Sequence, residues 1–337
     1  MGTSRMSAPR AANYRGLLTN YVGGEWVTAT STETLQIVNP ATNEAIAEVP
    51  LSNAADLDRA VDVAHAAFWS WRSTPPQQRA QPLYRLKALM ESHCDDIARL
   101  VTEEHGKTVE DARGSVQRAI ENVEVACGIP SLLMGYGLED GAARGIDEEV
   151  VRQPLGVFAA IAPFNFPAMV PFWFLPYAVA CGDTFVVKPS EQVPLTQRFI
   201  FELIHQCGFP PGVINLVNGA KDVVNAILDN PRIRGVSFVG STPVARYVYS
   251  RAAEKGKRVQ AQGGAKNSIV IMPDAILDKT VANVMGSAYG ASGQRCLAGS
   301  LAITVADRNE RALGALADAT RALKVGNGMD PGIDVGP

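Results

Sequence analysis

An α/β fold, with a parallel sheet covered by helices, is predicted by three features of this sequence. From Thr184 onward, short apolar runs alternate with amphipathic stretches of helical spacing, the pattern of consecutive strand–helix units. The 337 residues are 47% hydrophobic and 19% charged, with a net charge of −3. That excludes a disordered chain and supplies apolar surface for roughly two domains. Residues 153–182 carry no charge and are long enough to imitate a membrane span, but Pro154, Pro163, Pro167, Pro171 and Pro176 interrupt them. A proline inside a helix removes a hydrogen bond and costs about 3 kcal/mol, so this stretch reads as a broken, buried path.

In chain order, the acid-free, Arg-bearing start reads as a flexible leader over residues 1–19, without the apolar run of a signal peptide. Short strands follow at residues 21–26 and 35–38, around Gly23-Gly24 and Asn39-Pro40 turns. Asn53 is a good N-cap for a helix to Trp71, with Leu57, Val61, Ala64 and Phe68 on one face. A second helix is predicted over 79–105. A third starts near Lys107, its stripe formed by Val109, Ala112, Val116, Ile120 and Val123. Arg113 and Arg118 lie off that stripe, and periodicity alone puts them on a solvated face. A strand at 156–161 runs into a Pro/Phe/Asn-rich loop. Strands at 184–188, 213–217 and 235–239 then alternate with helices at 195–207, 222–228 and 244–253, and Val259 and residues 268–272 suggest further strands. Sheets of this kind bind ligands beyond the carboxyl ends of their strands.

The near balance of 31 Lys+Arg and 34 Asp+Glu advertises neither nucleic acid nor an anionic membrane. Cys94, Cys127, Cys181, Cys207 and Cys296 are an odd, scattered set with no Cys-x-x-Cys pair, and His65, His93, His105 and His205 lack zinc-ligand spacing. Reduced thiols in the cytoplasm are the expectation, without a metal; in a eukaryote the mitochondrial matrix stays open.

Four motifs sit where ligands are expected. Asn165, in Ala162-Pro-Phe-Asn-Phe-Pro167, is the polar side chain of a charge-free loop; it either satisfies a buried turn or is a donor fixed in an apolar site. Lys188-Pro-Ser-Glu191 leaves a strand with a cation and a carboxylate, either a surface ion pair or a binder of ribose hydroxyls. Gly240-Ser241-Thr242-Pro243 opens a helix, with Ser241 or Thr242 able to cap it. It is either an ordinary turn or an anion site at a helix N-terminus, and it is not Gly-x-Gly-x-x-Gly. Gly290-Ala-Ser-Gly293-Gln-Arg295-Cys296-Leu-Ala-Gly299-Ser300 surrounds a cysteine with small residues and sets an arginine beside it; a lone cysteine is usually a buried small hydrophobe, but this context favours the thiolate and a catalytic reading.

With these motifs in this order, the chain from about Tyr21 onward resembles an aldehyde dehydrogenase. Glu104-His-Gly-Lys-Thr, Asp111-Ala-Arg-Gly, Val125-Ala-Cys-Gly-Ile-Pro, Arg152-Gln-Pro-Leu-Gly and Gly264-Ala-Lys-Asn are similar to the CoA-acylating methylmalonate-semialdehyde dehydrogenases. The resemblance implies an aldehyde-dehydrogenase-like α/β fold. A Rossmann-type parallel-sheet NAD-binding domain with part of the oligomerisation elements would span 20–268, and an α/β catalytic domain would begin at 269.

By the same resemblance, Cys296 attacks the aldehyde, and the oxyanion is held by the Asn165 amide and the Cys296 N–H. Hydride passes to NAD, leaving a thioester. Phe164, Lys188, Glu191, Gly240 and Ser241 would meet the cofactor, Glu191 disfavouring a 2′-phosphate and hence NADP. Arg118 and Arg295 would grip a substrate carboxylate through bidentate guanidinium geometry. Hydrolytic relatives carry a glutamate base where this chain has Gln262, and an amide cannot take a proton from water at neutral pH. The thioester would then persist until coenzyme A attacks. Methylmalonate semialdehyde would give propionyl-CoA after loss of CO₂, and malonate semialdehyde acetyl-CoA.

Small-molecule partners only, and a homodimer or homotetramer, are implied. The rivals are a hydrolytic NAD(P)-dependent semialdehyde dehydrogenase and an inactive binding or structural protein of the same fold. The second gains weight because the family continues beyond Asp334-Val-Gly-Pro337, so the catalytic domain over 269–337 is expected to be C-terminally incomplete, with apolar surface left exposed.

Overall fold

The computed structural model describes residue 14, residues 16–306 and residues 309–337. Strands β1 (Asn20–Val22) and β2 (Glu25–Val27) form a hairpin at Gly23-Gly24, and β3 (Thr34–Val38) pairs antiparallel with β4 (Ala45–Pro50). Most of the leader expected over 1–19 lies outside the described residues. Its end is already tied down, because the Glu48 N–H donates to the Gly16 carbonyl and the Leu18 N–H to the Glu48 carbonyl, at 3.0 and 2.8 Å. Tyr14, too, is held, its hydroxyl donating to Glu202 Oε2 at 3.1 Å.

Helices α1 (Ala54–Ser73), α2 (Pro76–Ser92), α3 (Cys94–His105), α4 (Val109–Cys127) and the single turn α5 (Ile129–Leu132) follow. Asn53 begins α1 with a capping box: its side chain accepts from the Ala55 and Asp56 amides while Asp56 accepts from the Asn53 N–H. The single helix expected over 79–105 is two helices. The chain breaks at His93, and Asp95 and Asp96 then occupy the first turn of α3, where the helix dipole favours acids.

The exposed hairpin β5 (Tyr136–Leu138) and β6 (Glu148–Val150) precedes β7 (Val157–Ile161). Beyond β7 the charge-free stretch is less broken than its prolines suggest. It contains a 3-10 turn at Val170–Trp173 and helix α6 (Leu175–Cys181). Pro176 sits in the first turn of α6, where no hydrogen bond is lost, and Gly182 ends it in a left-handed conformation.

The chain then alternates through β8 (Thr184–Lys188), α7 (Leu195–Gln206), β9 (Ile214–Leu216), α8 (Lys221–Asp229), β10 (Ile233–Gly240), α9 (Thr242–Glu254) and β11 (Arg258–Gly263). These strands give a sheet of order β11-β10-β7-β8-β9-β1-β2. It is parallel from β11 to β9, with the β1–β2 hairpin added antiparallel. A smaller unit holds β12 (Asn267–Ile271), α10 (Leu277–Tyr289), β13 (Gly299–Thr304) and α11 (Asn309–Ala322), with β12 and β13 paired in parallel.

The period of two along the central strands divides the core into two layers. Phe185 and Val187 pack with α2, α3, α4, α6 and α7, whereas Val186, Ala159 and Ile161 pack with α1, α8 and α9. Strand order reverses between β7 and β10, whose carboxyl ends, Ile161 and Gly240, lie side by side. That switch point leaves a crevice where neighbouring loops part in opposite directions.

A buried carboxyl secures the layer next to this crevice. Glu104, at the end of α3, accepts from the Leu195 and Thr196 amides at 2.7 and 3.0 Å, supplying the cap that Pro194 cannot give to α7. Burial raises its pKa to about 8 from an ordinary 4.5, outweighing the bonds to Thr196 and Leu195 that lower it. The unfolded group loses its proton near 4.5 while the folded one keeps it to about 8. The contribution of Glu104 is thus fully present below the lower value and is lost as pH rises through the higher one. Urea unfolding from pH 5 to 8 should show a steeper loss of stability in the wild type than in Glu104→Gln; parallel slopes would contradict this.

Candidate active site

The switch-point crevice is a cavity of about 1010 Å³, walled by the loops after β7, β8 and β10 and by the segment carrying Gln294, Arg295 and Cys296. Lys188, at the end of β8, is only 3% exposed, and its Nζ donates to Glu191 Oε2 at 3.0 Å. This is not a surface ion pair. Burial lowers the Lys188 pKa against the opposing pull of Glu191, and both residues line the cavity. Gly240 lets β10 end against the Phe238 ring, which a Cβ would strike. Ser241 occupies the N-cap of α9, but its side chain makes no capping bond among the described residues. The sequence-based expectation that Ser241 or Thr242 caps α9 by its side chain is thus not met for Ser241. The amide-rich end of α9 borders the cavity through Ser241, Pro243 and Val244.

A second cavity, of about 530 Å³, opens between α4 and the loop after β7. Arg118 of α4, Trp173, Arg295 and Cys296 are among the residues lining it. The two cavities share Arg295 and Cys296, so the exposed Cys296 stands where they meet. Arg118 is two-thirds exposed and pairs with Glu121 at 2.5 Å. Its position off the apolar stripe of α4 makes it part of a cavity wall rather than merely a solvated face.

The cysteine segment is held in an unfavourable backbone conformation. Ala291, Ser292 and Gly293 all have positive φ, at 49°, 55° and 73°. For a residue with a Cβ this costs of order 1–2 kcal/mol each. Polar groups from distant elements hold it there: Asp111 Oδ2 accepts from the Ala291 N–H at 2.9 Å, and Ser292 Oγ donates to the Gly336 carbonyl at 2.6 Å. Asn267 Nδ2 donates to the carbonyls of Cys296 and Ala298, at 2.8 and 3.0 Å. Asn165 joins from the other side, its Nδ2 donating to the Gln294 carbonyl at 2.7 Å. Its side chain therefore satisfies the cysteine segment rather than its own turn.

The structure gathers Phe164, Asn165, Lys188, Glu191, Gly240 and Ser241 around the larger cavity, Arg118 on the smaller one, and Arg295 and Cys296 on both. Gln262 is different: it is exposed on β11, opposite Val239, and is in neither lining. Two residues escaped sequence reasoning. Asp111 and Lys107 stood in the sequence only within the motifs Asp111-Ala-Arg-Gly and Glu104-His-Gly-Lys-Thr that carry the resemblance, with no role given to either. Lys107 is fully buried, donates from Nζ to the Asn165 carbonyl at 2.6 Å, and lies 4.0 Å from the Phe166 ring centroid. Burial lowers its pKa to about 7; Asp111 opposes the shift and Arg295 adds to it. Among the described residues there is no cluster of His, Cys, Asp and Glu able to hold a metal, and no helix is long and apolar enough to cross a membrane.

A doubly wound sheet whose switch-point cleft meets a second pocket at one exposed cysteine defines the aldehyde dehydrogenase class. The chain belongs to the aldehyde dehydrogenase family, whose model matches residues 26–337. It is 50% identical over 320 residues to malonate-semialdehyde dehydrogenase 3 of Geobacillus kaustophilus, covering 95% of this chain and 66% of that protein. It is 50% identical over 324 residues to malonate-semialdehyde dehydrogenase of Pseudomonas aeruginosa, covering 96% and 65%. The chain thus spans slightly under two thirds of the length of these relatives. The crystal structure of methylmalonate-semialdehyde dehydrogenase from Oceanimonas doudoroffii superposes with a TM-score of 0.93 at 45% identity, covering 96% of this chain and 66% of that one. A structure from Sinorhizobium meliloti solved with NAD gives 0.93 at 42% identity, covering 95% and 65%.

Because Asn267 carries two of the bonds that hold the Cys296 segment, Asn267→Ala should raise amide hydrogen exchange over residues 291–299 while leaving β7 to β10 protected. Unchanged exchange there would show that the other tethers suffice.

Proposed function

We propose that this protein is an NAD-dependent, CoA-acylating semialdehyde dehydrogenase acting on methylmalonate or malonate semialdehyde. The observation that carries the reading is the placement of Cys296 and Arg295 at the junction of the two cavities, with Arg118 on the smaller one. One cavity is built for a dinucleotide: a buried Lys188–Glu191 pair, close backbone approach at Gly240 and the N-terminus of α9 fit ribose hydroxyls and a pyrophosphate. The other suits a short aldehyde that ends in a carboxylate, which Arg118 and Arg295 would hold while its carbonyl faces Cys296.

The chain's own residues then have the following work. Cys296 Sγ adds to the aldehyde carbon as a thiolate, forming the carbon–sulfur bond of a thiohemiacetal. The new oxyanion accepts from the Cys296 N–H and from the second N–H of the Asn165 amide, the first being engaged by Gln294. NAD, when bound, supplies the hydride acceptor that converts this adduct to a thioester. Gln262 is an amide outside both cavities and offers no base to activate water, so an incoming thiol, coenzyme A, releases the acyl group.

Residues 20–268 would form the cofactor domain and residues from 269 onward would begin the catalytic domain. The exposed apolar side chains of the β5–β6 hairpin, Tyr136 and Leu138 among them, support assembly as a homodimer or homotetramer. Five free thiols and bacterial relatives support a cytoplasmic location.

In the full-length protein, Cys296→Ala should abolish NADH formation, and retained turnover would sink the assignment. Without coenzyme A, the wild type should give a burst of NADH and then stall; steady turnover would favour the hydrolytic rival. Complete inactivity with both cofactors present would favour the binding protein. Arg118→Ala should raise KM for methylmalonate semialdehyde by about 10- to 150-fold, the loss of about 1.5–3 kcal/mol of binding, but leave KM for propanal unchanged. Equal effects on both aldehydes would remove Arg118 from carboxylate recognition.

A further inference from the structure

The turn from Glu104 to Asp111 runs behind the Phe164-Asn165-Phe166 tripeptide and touches each of its residues. The His105 ring stacks on Phe164, with centroids 5.9 Å apart and planes 14° apart. Lys107 Nζ donates to the Asn165 carbonyl at 2.6 Å and sits over Phe166. Asp111, one helical turn onward, holds the Ala291 amide of the cysteine segment. Asn165 is therefore fixed twice: its main chain by Lys107, which lines the smaller cavity, and its side chain by the Gln294 carbonyl.

A lysine amine is costly to bury, and this one is fully buried, its Nζ on a neutral carbonyl and over an aromatic face, with Asp111 and Arg295 as nearby charges. A methionine or leucine would fill the same volume without that cost. What an apolar side chain could not do is pull the Asn165 carbonyl back and so set the rotation of the residue whose amide must point at Cys296.

We propose that Lys107 is a positioning residue that acts through Asn165, holding its main chain so that the side-chain amide faces the oxyanion formed at Cys296. The inference rests on the reading of Asn165 as an oxyanion donor, and the test separates the two. Oxyanion donors are sensitive to small displacements, and loss of one costs about 10²–10³ in rate.

The experiment is a double-mutant cycle in the full-length protein, reading single-turnover NADH formation with NAD and methylmalonate semialdehyde both saturating. Asn165→Ala should slow the burst by about 10²–10³-fold. Lys107→Met should slow it by about tenfold or more, and Lys107→Met/Asn165→Ala should be no slower than Asn165→Ala alone. The NAD dissociation constant should stay within about twofold, a split that general loosening of the fold would not give. Losses that multiply in the double variant, or a Lys107→Met protein of lowered thermal stability with an unchanged burst, overturn the role of Lys107 and leave that of Asn165 intact. A wild-type burst in Asn165→Ala overturns the oxyanion reading, and this inference with it. Should Lys107→Met fail to fold, the same cycle with Lys107→Gln, which keeps a donor without the charge, decides between additive and non-additive losses.

Discussion

Removing the Glu104–Lys107 turn from water constrains the rest of the site. A carboxyl, an imidazole and an ammonium become buried within a single turn of chain, and each carries a desolvation cost that falls only when a partner is in place. The partners of Glu104 are the first amides of α7; that of Lys107 Nζ is the carbonyl of Asn165; His105 Nδ1 takes the Lys107 N–H while the Phe164 ring covers the imidazole face. Displacing α7 or the loop after β7 would leave one of these groups buried and unpaired. The turn thereby converts desolvation into positional accuracy, for elements that have no hydrogen-bonded ladder of their own at this point. The pKa shifts of the turn have the same origin: burial raises Glu104 to about 8 and lowers His105 to about 3.

The cysteine segment depends on that turn from the opposite side. Left-handed backbone at Ala291 and Ser292 is unfavourable in isolation, and it persists because Asp111, Asn267 and the Gly336 carbonyl each satisfy a group that would otherwise lose its partner. Asp111 and Lys107 belong to the same short stretch of chain. One holds the segment bearing the proposed nucleophile, Cys296, and the other the loop bearing the proposed oxyanion donor, Asn165. The cysteine segment and the Asn165 loop are thus both tied to one short piece of backbone.

Much of the sheet was legible in the sequence because its signals are local. The capping box at Asn53 and the continuous apolar run within Thr184–Lys188 are decided by near neighbours in the chain. The break at His93 was not legible, since apolar spacing continues from α2 into α3 and only the acids after it mark a new start. Helix α6 was hidden by counting prolines without asking where in a helix each would fall. At the site, periodicity reports which face of α4 meets the core and says nothing of a cavity wall on its other side, so Arg118 was assigned from resemblance alone. Lys107 had no local signal: its partner lies 58 residues away, and a lysine after a glycine at a helix start reads as surface.

The bond from Asn165 to the Gln294 carbonyl has a further consequence for catalysis. An amide has two N–H donors. Engaging one with the segment that carries Cys296 makes the remaining donor and the nucleophile parts of a single tethered unit. The Asn165–Gln294 bond joins the loop after β7 to the segment that leads into β13, so relative motion of the large sheet and the smaller β12–β13 unit is opposed at this point. Preorganised donors lower a barrier only if they need no rearrangement at the moment charge develops. The proposed donor, Asn165, is fixed at its side chain through Gln294 and at its main chain through Lys107, and it lines the larger cavity, which meets that requirement.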